Sequence, residues 1–469
     1  MMPSAETLDR FTAIVGARNA IRDPLDMVPY LTEWRAIWTG KSPLVLRPAS
    51  TEEVSRILAL ATETRTTIVP QSGNTGLVGG QIPFEAGTEV VLSLDRMTTI
   101  LAVDPIDNSM TVQAGVTLKA VQDAAESVDR LFPLTLASEG SCRIGGNLSS
   151  NAGGIGVLAY GNARDLCLGL EVVLPDGRVW NGLRSLRKDN TGYDLKNLFI
   201  GAEGTLGIIT AAVLKLFPRP VSRATALAAL PSPQAAIDLL ALAREQSGGR
   251  VTALELLPRN GFEFTMKHFA VRDPFASPAP WYVIVELSGA GDLDTVLVDT
   301  LAMGAERELV ADATVAQSEA QRQEIWYIRE AIVETQRREG GSIKHDVAVP
   351  VSHIPAFIAE TTAAILAFMP GARPMPFGHA GDGNLHFNVS QPVGMDKAAF
   401  LAKWDEMNEV VYDVVLRHGG TISAEHGIGR LKRAMMARIK SPVELGMMRG
   451  LKQLFDPLNI LNPGKTLLE

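Results

Sequence analysis

The chain has 469 residues, of which 46% are apolar and 20% charged, and its formal net charge is -8. This length predicts two domains, and the negative charge argues against nucleic acid or an anionic membrane surface as the main partner. The first ten residues carry acids and lack an apolar core, which argues against a secretory signal and a mitochondrial presequence. No apolar run approaches the roughly 20 residues of a membrane span. We therefore expect a cytoplasmic protein without an integral membrane segment.

The first elements of the chain lead into a glycine-rich loop. A strand over residues 44–48, a helix capped by Thr51 and a strand over residues 67–70 are predicted in this order. The last strand runs into Q-S-G-N-T-G-L-V-G-G, residues 71–80. Such a loop presents backbone N–H groups without Cβ obstruction, which suits a phosphate ligand. A purely structural glycine-rich turn is the alternative.

The glycine spacing of this loop excludes two common phosphate-binding motifs. Gly73, Gly76, Gly79 and Gly80 do not form the dinucleotide fingerprint G-x-G-x-x-G, and a strand rather than a helix follows. A Gly-Lys-Ser/Thr sequence is also absent, which excludes the ATP-binding P-loop. Neither a Rossmann half nor a nucleoside triphosphatase therefore fits.

Two further glycine clusters follow. Residues 138–161 are too rich in glycine for an ordinary helix and too apolar for a linker, which indicates backbone close to a large ligand. A hairpin around residues 175–177 precedes the third cluster, G-A-E-G-T-L-G at residues 201–207, and a strand over residues 208–216. Cys142 and Cys167 form no C-x-x-C or zinc-finger spacing, so two buried thiols are expected.

The three clusters, in this order and spacing, resemble the FAD-binding domain of the vanillyl-alcohol oxidase/PCMH flavoprotein superfamily. The resemblance implies that the first loop holds the FAD pyrophosphate and that the second lies along the adenosine and the flavin edge. Many relatives have a histidine in the first loop that bonds to the flavin. This loop has none, so non-covalent FAD is expected. The residues that the resemblance assigns to the cofactor are Gly73, Asn74, Thr75, Gly76, Leu77, Gly79, Gly80, Ser138, Gly140, Gly145, Gly146, Asn147, Gly153, Ile208 and Asn462.

A second α+β domain is predicted after prolines at residues 218–220 and 231–233. Strands over 223–230 and 281–288 flank a helix over 233–245 without a glycine signature. Later elements are a helix over 315–338, a strand over 342–350, a helix over 397–416 and two closing helices, the last with a capping box at Ser441. The expected fold is an α+β PCMH-type FAD-binding domain of two α/β subdomains plus a substrate (cap) domain, an antiparallel sheet covered by helices. The expected segments are 1–219 for FAD, 220–420 for substrate and metal, and 421–469 packing back on the FAD domain.

Residues 376–389, P-F-G-H-A-G-D-G-N-L-H-F-N-V, contain two of the seven histidines. A β-hairpin with the loop at residues 381–384 is predicted, in which His379 faces His386. Opposed residues have Cβ atoms roughly 4.5–5.5 Å apart, so the two imidazoles can share one ion. A hairpin with locally hydrogen-bonded histidines is the alternative, since two ligands do not make a metal site.

The adjacent pair Glu425 and His426, bracketed by Gly427 and Gly429, offers a third ligand, and a solvated loop is the alternative. Two imidazoles and a carboxylate make a borderline divalent site that suits zinc first, with manganese or iron also compatible. The histidine hairpin, S-A-E-H-G-I-G and N-P-G-K together resemble the FAD-linked oxidase C-terminal domain of D-lactate and D-2-hydroxyglutarate dehydrogenases. The resemblance assigns His379, His386 and Glu425 as metal ligands and His426 as the catalytic base.

The implied reaction is the oxidation of a D-2-hydroxy acid, similar to 2-hydroxyglutarate, malate or lactate, to the 2-oxo acid. A cation stabilises the developing alkoxide, a histidine accepts the proton and FAD accepts the hydride. The substrate would lie against Glu425 and His426, and its carboxylates would be held by Arg329, Lys344 and Asn388. A surface arginine and a Lys344–Asp346 pair are the alternatives. D-2-hydroxyglutarate dehydrogenases carry a threonine where this chain has Val333, which leaves the substrate side chain open.

Other functions fit parts of the pattern. A related flavin oxidase would pass electrons to O2, a zinc hydrolase would bind no flavin, and a flavin-binding subunit of a larger complex would lack catalysis. For a dehydrogenase, the electron acceptor is open among a quinone, an electron-transfer flavoprotein and a cytochrome. The oligomeric state is open as well, with a homodimer as one option.

Overall fold

The structure is a computed structural model that describes residues 2–468. The chain forms two compact units. The first consists of Met1–Gly153, Gly161–Arg219 and Glu425–Glu469, and the second of Gly154–Tyr160 and Pro220–Ala424. The chain thus leaves the first unit after residue 219 and returns to it at residue 425. The division into two compact units does not show which ligand either unit binds. The functional roles of the three predicted segments therefore stay predictions.

The first unit contains a four-stranded sheet with the order β1-β2-β4-β3. Three of its strands are parallel, and β1 joins them antiparallel. The helix after β2 is capped by Ser50, whose side chain accepts from the Glu53 N–H, so the predicted cap at Thr51 is wrong by one residue. The elements are α1 (Ala5–Val15), β1 (Ala20–Ile21), α2 (Pro24–Leu31), β2 (Val45–Leu46), α3 (Thr51–Thr64), β3 (Ile68–Gln71) and β4 (Val90–Ser93).

A five-stranded antiparallel sheet with the order β5-β6-β10-β8-β9 completes this unit, together with the small pair β7 and β11. The strands are β5 (Ile100–Asp104), β6 (Ser109–Gln113), β7 (Arg130–Leu131), β8 (Cys167–Val173), β9 (Val179–Gly182), β10 (Ile208–Lys215) and β11 (Phe217–Pro218). The helices are α4 (Leu118–Glu126), α5 (Ile144–Ser149), α7 (Lys196–Phe199), α15 (Arg433–Ile439) and α16 (Pro442–Phe455).

Two expectations for this unit are confirmed. Ser441 and Glu444 form the predicted capping box of α16. Both cysteines are buried and free, and burial raises the pKa of the Cys167 thiol to about 12. This thiol is therefore protonated and unreactive at neutral pH.

The second unit is built on one antiparallel sheet with the order β15-β12-β14-β13-β18-β19-β16, in which β17 also pairs with β19. The strands are β12 (Ser222–Leu230), β13 (Val251–Pro258), β14 (Trp281–Gly289), β15 (Asp312–Val315), β16 (Ser342–Ile343), β17 (Asp346–Ala348), β18 (Arg373–His379) and β19 (Asn384–Ser390). The helices are α6 (Val157–Tyr160), α8 (Pro233–Ser247), α9 (Arg259–His268), α10 (Leu293–Glu306), α11 (Glu319–Arg338), α12 (Ile354–Phe368), α13 (Lys397–Leu401) and α14 (Trp404–Arg417). The predicted antiparallel sheet covered by helices is confirmed.

Three boundaries differ from the expectation. Helix α11 begins at residue 319 rather than 315, because residues 312–315 pair with β12 and Ser318 then caps the helix. The strand expected over 342–350 is interrupted at Lys344 and His345, where the His345 Nδ1 lies 2.7 Å from the Phe387 carbonyl oxygen. The helix expected over 397–416 is divided into α13 and α14.

Helices α9 and α11 cover one face of this sheet. The core between them contains Phe262 and Tyr282, whose rings stack at 4.7 Å, and Phe275, whose ring lies 5.4 Å from that of Tyr282. Buried residues of α11, including Ile328 and Ile332, pack on the same core. This packing fixes the helix that carries Arg329 against the strands that carry the histidines.

One stretch of the described residues, Val351–Phe368, is long and apolar enough to cross a membrane, with a mean hydropathy of 1.4. In α12, which makes up most of it, the buried residues Ile354, Phe357, Ile358, Thr361 and Ile365 follow the spacing of an amphipathic helix. The core helix of a soluble protein can have the same length and composition, so this stretch is weak evidence for a membrane-spanning helix.

Candidate active site

The glycine-rich loop after β3 presents unpaired backbone N–H groups. Within residues 2–468, no N–H group from Gly73 to Gly79 donates a hydrogen bond. The loop is held instead by Asn74, whose Nδ2 donates to the Pro29 carbonyl at 2.8 Å and the Thr32 carbonyl at 3.1 Å. Asn74 and Gly79 have positive φ values of 52° and 71°. Backbone N–H groups without an acceptor in a glycine-rich loop suit a phosphate anion.

Glycine lets the first two glycine clusters pack against each other. A Cβ on Gly73 would lie 2.6 Å from the Ser141 carbonyl oxygen and 2.9 Å from the Cys142 Cα. A Cβ on Gly146 would lie 3.2 Å from the Ser72 Cβ. The backbones of the two loops therefore approach each other at a distance that side chains would prevent.

Asn147, in the second glycine cluster, is only 5% exposed, and within residues 2–468 its Nδ2 has no oxygen or nitrogen acceptor, only the weakly accepting Cys142 sulfur nearby. A buried donor without an acceptor costs about 1–3 kcal/mol. Beside it, a Cβ on Gly145 would lie 2.7 Å from the Ala114 Cβ. The glycine at position 145 thus makes room for Ala114, and the buried Asn147 donor fits a ligand that presents an acceptor oxygen or nitrogen to this segment.

The other residues assigned to the cofactor lie in the same unit, and their assignment stays a prediction. Asn462 donates its Nδ2 to the carbonyls of Gly80 and Glu203, each at 3.0 Å. Thr75, Gly76 and Leu77 lie in the first loop, where the Leu77 carbonyl accepts a hydrogen bond from Arg35. The Ser138 carbonyl accepts from the N–H groups of Ser141 and Cys142. Gly140 faces open space, and Ile208 is buried at the start of β10.

Glu203 in the third glycine cluster holds the turn that follows His426. Its carboxylate accepts from the Ile428 N–H at 2.7 Å and from the Gly429 N–H at 2.8 Å, and its own N–H donates to the Ser149 carbonyl at 2.9 Å. Burial raises the pKa of this carboxyl, against the lowering effect of the two backbone donors. The second and third glycine clusters and the turn after His426 thus share one anchor.

Glu425 and His426 are half-buried residues of the first unit. A Cβ on Gly153 would lie 2.7 Å from the Glu425 Oε1, so Gly153, which the sequence assigned to the cofactor, makes room for Glu425. Gly427 has a φ of 81°, and a Cβ there would lie 2.9 Å from the Glu203 Oε1. A residue with a side chain would therefore be strained at position 427, which explains the glycine.

The histidine hairpin forms, but its predicted register is wrong. Its loop covers residues 380–383 rather than 381–384, so Phe377 rather than His379 lies opposite His386. The reason is that His379 is still in β18, where it pairs with Glu255 of β13. A shift of two residues keeps both histidines on one face, and their ring centroids are 5.5 Å apart. Gly378, with a φ of 124°, leaves room for the His386 ring, because a Cβ there would lie 3.1 Å from the His386 Cδ2.

Glu255 is the residue of the candidate site that the sequence analysis missed. It is fully buried in β13, with Oε1 at 2.5 Å from the His379 Nδ1 and Oε2 at 2.8 Å from the Arg329 Nε. Burial alone would raise the pKa of this carboxyl, but the charges and hydrogen bonds of His379 and Arg329 lower it to about 2. The available signal was a single acid inside the apolar strand V-T-A-L-E-L-L-P.

Arg329 on α11 is 8% exposed and packs with its guanidinium carbon 5.1 Å from the centre of the Phe377 ring. Within residues 2–468, its only hydrogen bond is the one from Nε to Glu255. The terminal nitrogens are therefore available as a fork for a carboxylate. Val333, one turn further along, packs against the apolar core of this unit.

Lys344 and Asn388 lie opposite each other in the sheet. Ser342 pairs with Ser390 and Asp346 with His386, so the same register places Lys344 opposite Asn388. The Asn388 Nδ2 donates to the Gln336 Oε1 of α11 at 3.0 Å, and both side chains are buried. Lys344 is half-buried. The second unit therefore brings together His379, His386, Arg329, Lys344 and Asn388, whereas Glu425 and His426 belong to the first unit.

Two family models match the chain. The model for the C-terminal domain of FAD linked oxidases matches residues 219–466, and the model for an FAD binding domain matches residues 42–182. The first match alone covers more than half of the chain. It contains the histidine hairpin, and the second contains the first two glycine clusters.

Curated relatives match over nearly the whole length. The chain is 38% identical to a D-2-hydroxyglutarate dehydrogenase of Xanthomonas citri pv. viticola, over 94% of this chain and 93% of the relative. It is 37% identical to the mitochondrial D-2-hydroxyglutarate dehydrogenase of Arabidopsis thaliana, over 97% of this chain and 80% of the relative. Among solved structures, p-cresol methylhydroxylase with bound substrate matches with a TM-score of 0.78 at 16% identity, over 98% of this chain and 96% of that chain, and shows the PCMH-type fold. The chain belongs to the family of FAD-linked D-2-hydroxyglutarate dehydrogenases, which are FAD-dependent dehydrogenases of D-2-hydroxy acids.

Proposed function

We propose that this enzyme oxidises a D-2-hydroxy acid with the help of a divalent metal ion, with His426 as the base. One observation carries the proposal. Arg329, assigned to the substrate, and His379, assigned to the metal, bind the two oxygens of one buried carboxylate, Glu255. An anion anchor and a metal ligand in contact with the same group belong to one site.

The histidine donors fit a metal ion. The His379 Nδ1 is engaged by Glu255, which leaves Nε2 as the ligand atom, and the His386 ring lies beside it on the same face. Chain connectivity supports Glu425 as the third ligand. The Ala424 N–H donates to the carbonyl of Asp346, the residue that pairs with His386, and Glu425 is bonded to Ala424. A zinc ion, or manganese or iron, held by these residues would stabilise the developing alkoxide.

The first unit fits FAD without a covalent link. The unpaired N–H groups of residues 73–79 suit the pyrophosphate, and the orphaned Asn147 Nδ2 suits an acceptor elsewhere on the cofactor. Bound FAD would supply the hydride acceptor. The first loop contains no histidine to bond to the flavin ring.

The protein's own groups divide the remaining tasks. His426 accepts the hydroxyl proton, because imidazole in general, with an unperturbed pKa of about 6.5, is suited to this task at neutral pH. Asn388 donates a hydrogen bond to a substrate carboxylate, and Gln336 holds its amide. Arg329 and Lys344 bind carboxylate oxygens by charge, Arg329 through its two terminal nitrogens.

Two cationic anchors favour a dicarboxylic substrate. The relatives are named for 2-hydroxyglutarate, and malate is the four-carbon acid with the same two carboxylates. Val333 packs in an apolar core and cannot hydrogen-bond a distal carboxylate, so we keep lactate-like acids as the contrasting class. The cytoplasmic location stays a prediction, and the plant relative is named as mitochondrial. The acceptor and a homodimer stay predictions too.

Single-turnover reduction of the flavin under anaerobic conditions tests the proposal. Protein treated with a chelator should keep its FAD but reduce it at least about 100-fold more slowly with D-2-hydroxyglutarate, and added zinc or manganese should restore the rate. In an oxidase, air would rapidly reoxidise the reduced flavin. In a dehydrogenase, the flavin would stay reduced until a quinone or an electron-transfer protein is added. An unchanged rate after complete metal removal would contradict the metal's role.

A further inference from the structure

We infer that Glu255 is a positioning residue that sets the ligand atom of His379 and the orientation of Arg329 at the same time. The inference rests on the proposed function, because it concerns how the metal ligand and the substrate anchor of that site are held. The two carboxylate oxygens of Glu255 contact these two side chains, so Glu255 would act through them rather than on the substrate or the metal itself.

The contact with His379 decides which imidazole nitrogen carries the hydrogen in the neutral ring. Glu255 is fully buried and lies directly opposite His379 in the pairing of β13 with β18. Its Oε2 accepts from a guanidinium that stays charged, so the group is a carboxylate and can only accept. The His379 Nδ1 at 2.5 Å must therefore carry a hydrogen, so that in the neutral imidazole the lone pair lies on Nε2, the nitrogen that would bind a metal ion.

The contact with Arg329 orients the guanidinium. The Nε–H is directed to Glu255 at 2.8 Å, and the flat face lies over the Phe377 ring at 5.1 Å. With one edge and one face fixed, the terminal nitrogens point away from Glu255 in a defined direction. A planar fork that is fixed before binding loses less entropy when it binds a carboxylate.

One carboxylate therefore couples two functions that are 50 positions apart in the chain, Arg329 and His379. A glutamine in its place has one acceptor oxygen and one donor nitrogen. It can accept from His379 or from Arg329 but not from both, because its amide nitrogen cannot accept from an N–H. Glu255→Gln should therefore either invert the His379 tautomer or release Arg329, with little change in shape.

Glu286→Gln is the matched control. Glu286 lies on β14, on the same face of the same sheet, and is also bonded to α11, through Trp326 Nε1 at 3.0 Å and Arg322 Nη1 at 3.4 Å. Its hydrogen bonds go to Trp326, Arg322 and Thr225 rather than to His379 or Arg329. A general loss of sheet or helix stability would appear in both variants, whereas a positioning effect would appear only at Glu255.

The test combines zinc affinity, measured by competition with a chromophoric chelator, with the imidazole ¹⁵N spectrum of metal-free protein. We expect Glu255→Gln to bind zinc about 10–100-fold more weakly and to raise KM for the acid several-fold, while Glu286→Gln binds zinc as the wild type does. In the wild type the His379 signals, assigned by their loss in His379→Gln, should show a hydrogen on Nδ1. This measurement needs no folded Glu255 variant.

The outcomes separate the two proposals. A wild-type His379 that carries its hydrogen on Nε2, or a Glu255→Gln protein with wild-type zinc affinity and KM, would overturn the positioning role and leave the metal mechanism standing. Wild-type protein that binds no zinc, manganese or iron would contradict the proposed function and the positioning role together.

Discussion

Phe377 lies directly opposite His386 in the pair of β18 and β19, and the two ring centroids are 5.3 Å apart. The same ring lies under the guanidinium of Arg329 at 5.1 Å. Phe377 is 1% exposed, so its ring is a buried wall between a proposed metal ligand and a proposed substrate anchor. Its packing supports the orientation of both side chains.

Replacing Phe377 by leucine should therefore lower the free energy of unfolding by about 1–3 kcal/mol, because an aromatic pair and a cation–π contact are lost. KM for the substrate should rise several-fold, since Arg329 loses the ring under its flat face. Phe387→Leu is the control. Phe387 is fully buried on the opposite face of the hairpin, 5.6 Å from the Phe357 ring, and should cost stability without a change in KM. Equal KM values for the two variants would refute this role of Phe377.

The proposed base gives a prediction that separates chemistry from cofactor binding. His426→Asn should slow flavin reduction by about 10²–10⁴-fold, the usual contribution of a general base. FAD should stay bound, because the cofactor loops of residues 73–80 and 138–153 are unchanged. Rapid-mixing absorbance spectroscopy measures the rate, and the released flavin gives the cofactor content. His353→Asn, at an exposed histidine, should behave as the wild type. Normal reduction in His426→Asn would remove it as the base.

The close approach of the two glycine clusters predicts a different failure. Gly73→Ala puts a Cβ 2.6 Å from the Ser141 carbonyl oxygen, so the first loop must shift and FAD content should fall strongly. Gly446→Ala is the matched control in α16, where a Cβ meets open space. It should keep FAD and add up to about 1 kcal/mol of stability, because alanine is the better helix former. Full FAD occupancy in Gly73→Ala would show that the loop contact is not needed.

Glu339 at the end of α11 gives a pH-dependent prediction. Its carboxylate binds Lys267 and His268 at 2.6 Å and Arg373 at 2.7 Å. Burial alone would raise its pKa, but these donors lower it from the ordinary 4.5 to about 2. A lowered folded-state pKa stabilises the fold above pH 4.5 and ceases to do so as the pH falls toward 2.

Glu339→Gln should therefore cost about 1–3 kcal/mol at pH 7, the range for hydrogen bonds to charged groups. The difference from the wild type should shrink progressively below pH 4.5. Urea unfolding at pH 7, 5 and 4 measures this difference. A gap that stays constant over that range would mean that the charge of Glu339 does not contribute to stability.

Local patterns predicted much of the fold. The loop at residues 71–80, the existence of the histidine hairpin and the capping box at Ser441 each depend on residues close together in sequence. Their turn, strand and cap preferences act within a few residues, and the structure confirms these elements. The antiparallel sheet of the second unit was predicted correctly from a pattern of strands and helices without a glycine signature.

Contacts between distant residues could not be predicted in this way. Glu255 binds residues 74 and 124 positions away, and no local pattern records such a partner. The hairpin register depended on the same distant contact, because pairing with Glu255 keeps His379 in the strand and moves the loop by one residue. The interruption at His345 likewise depends on a carbonyl 42 positions away.

The most direct measurement is anaerobic titration of the purified, metal-loaded enzyme with D and L enantiomers of 2-hydroxyglutarate, malate and lactate, following the flavin absorbance. The D-2-hydroxy diacids should bleach the flavin completely and yield one equivalent of the 2-oxo acid, while the L enantiomers leave it oxidised. A protein without a flavin spectrum, or a flavin that none of the D acids reduces, would contradict the account.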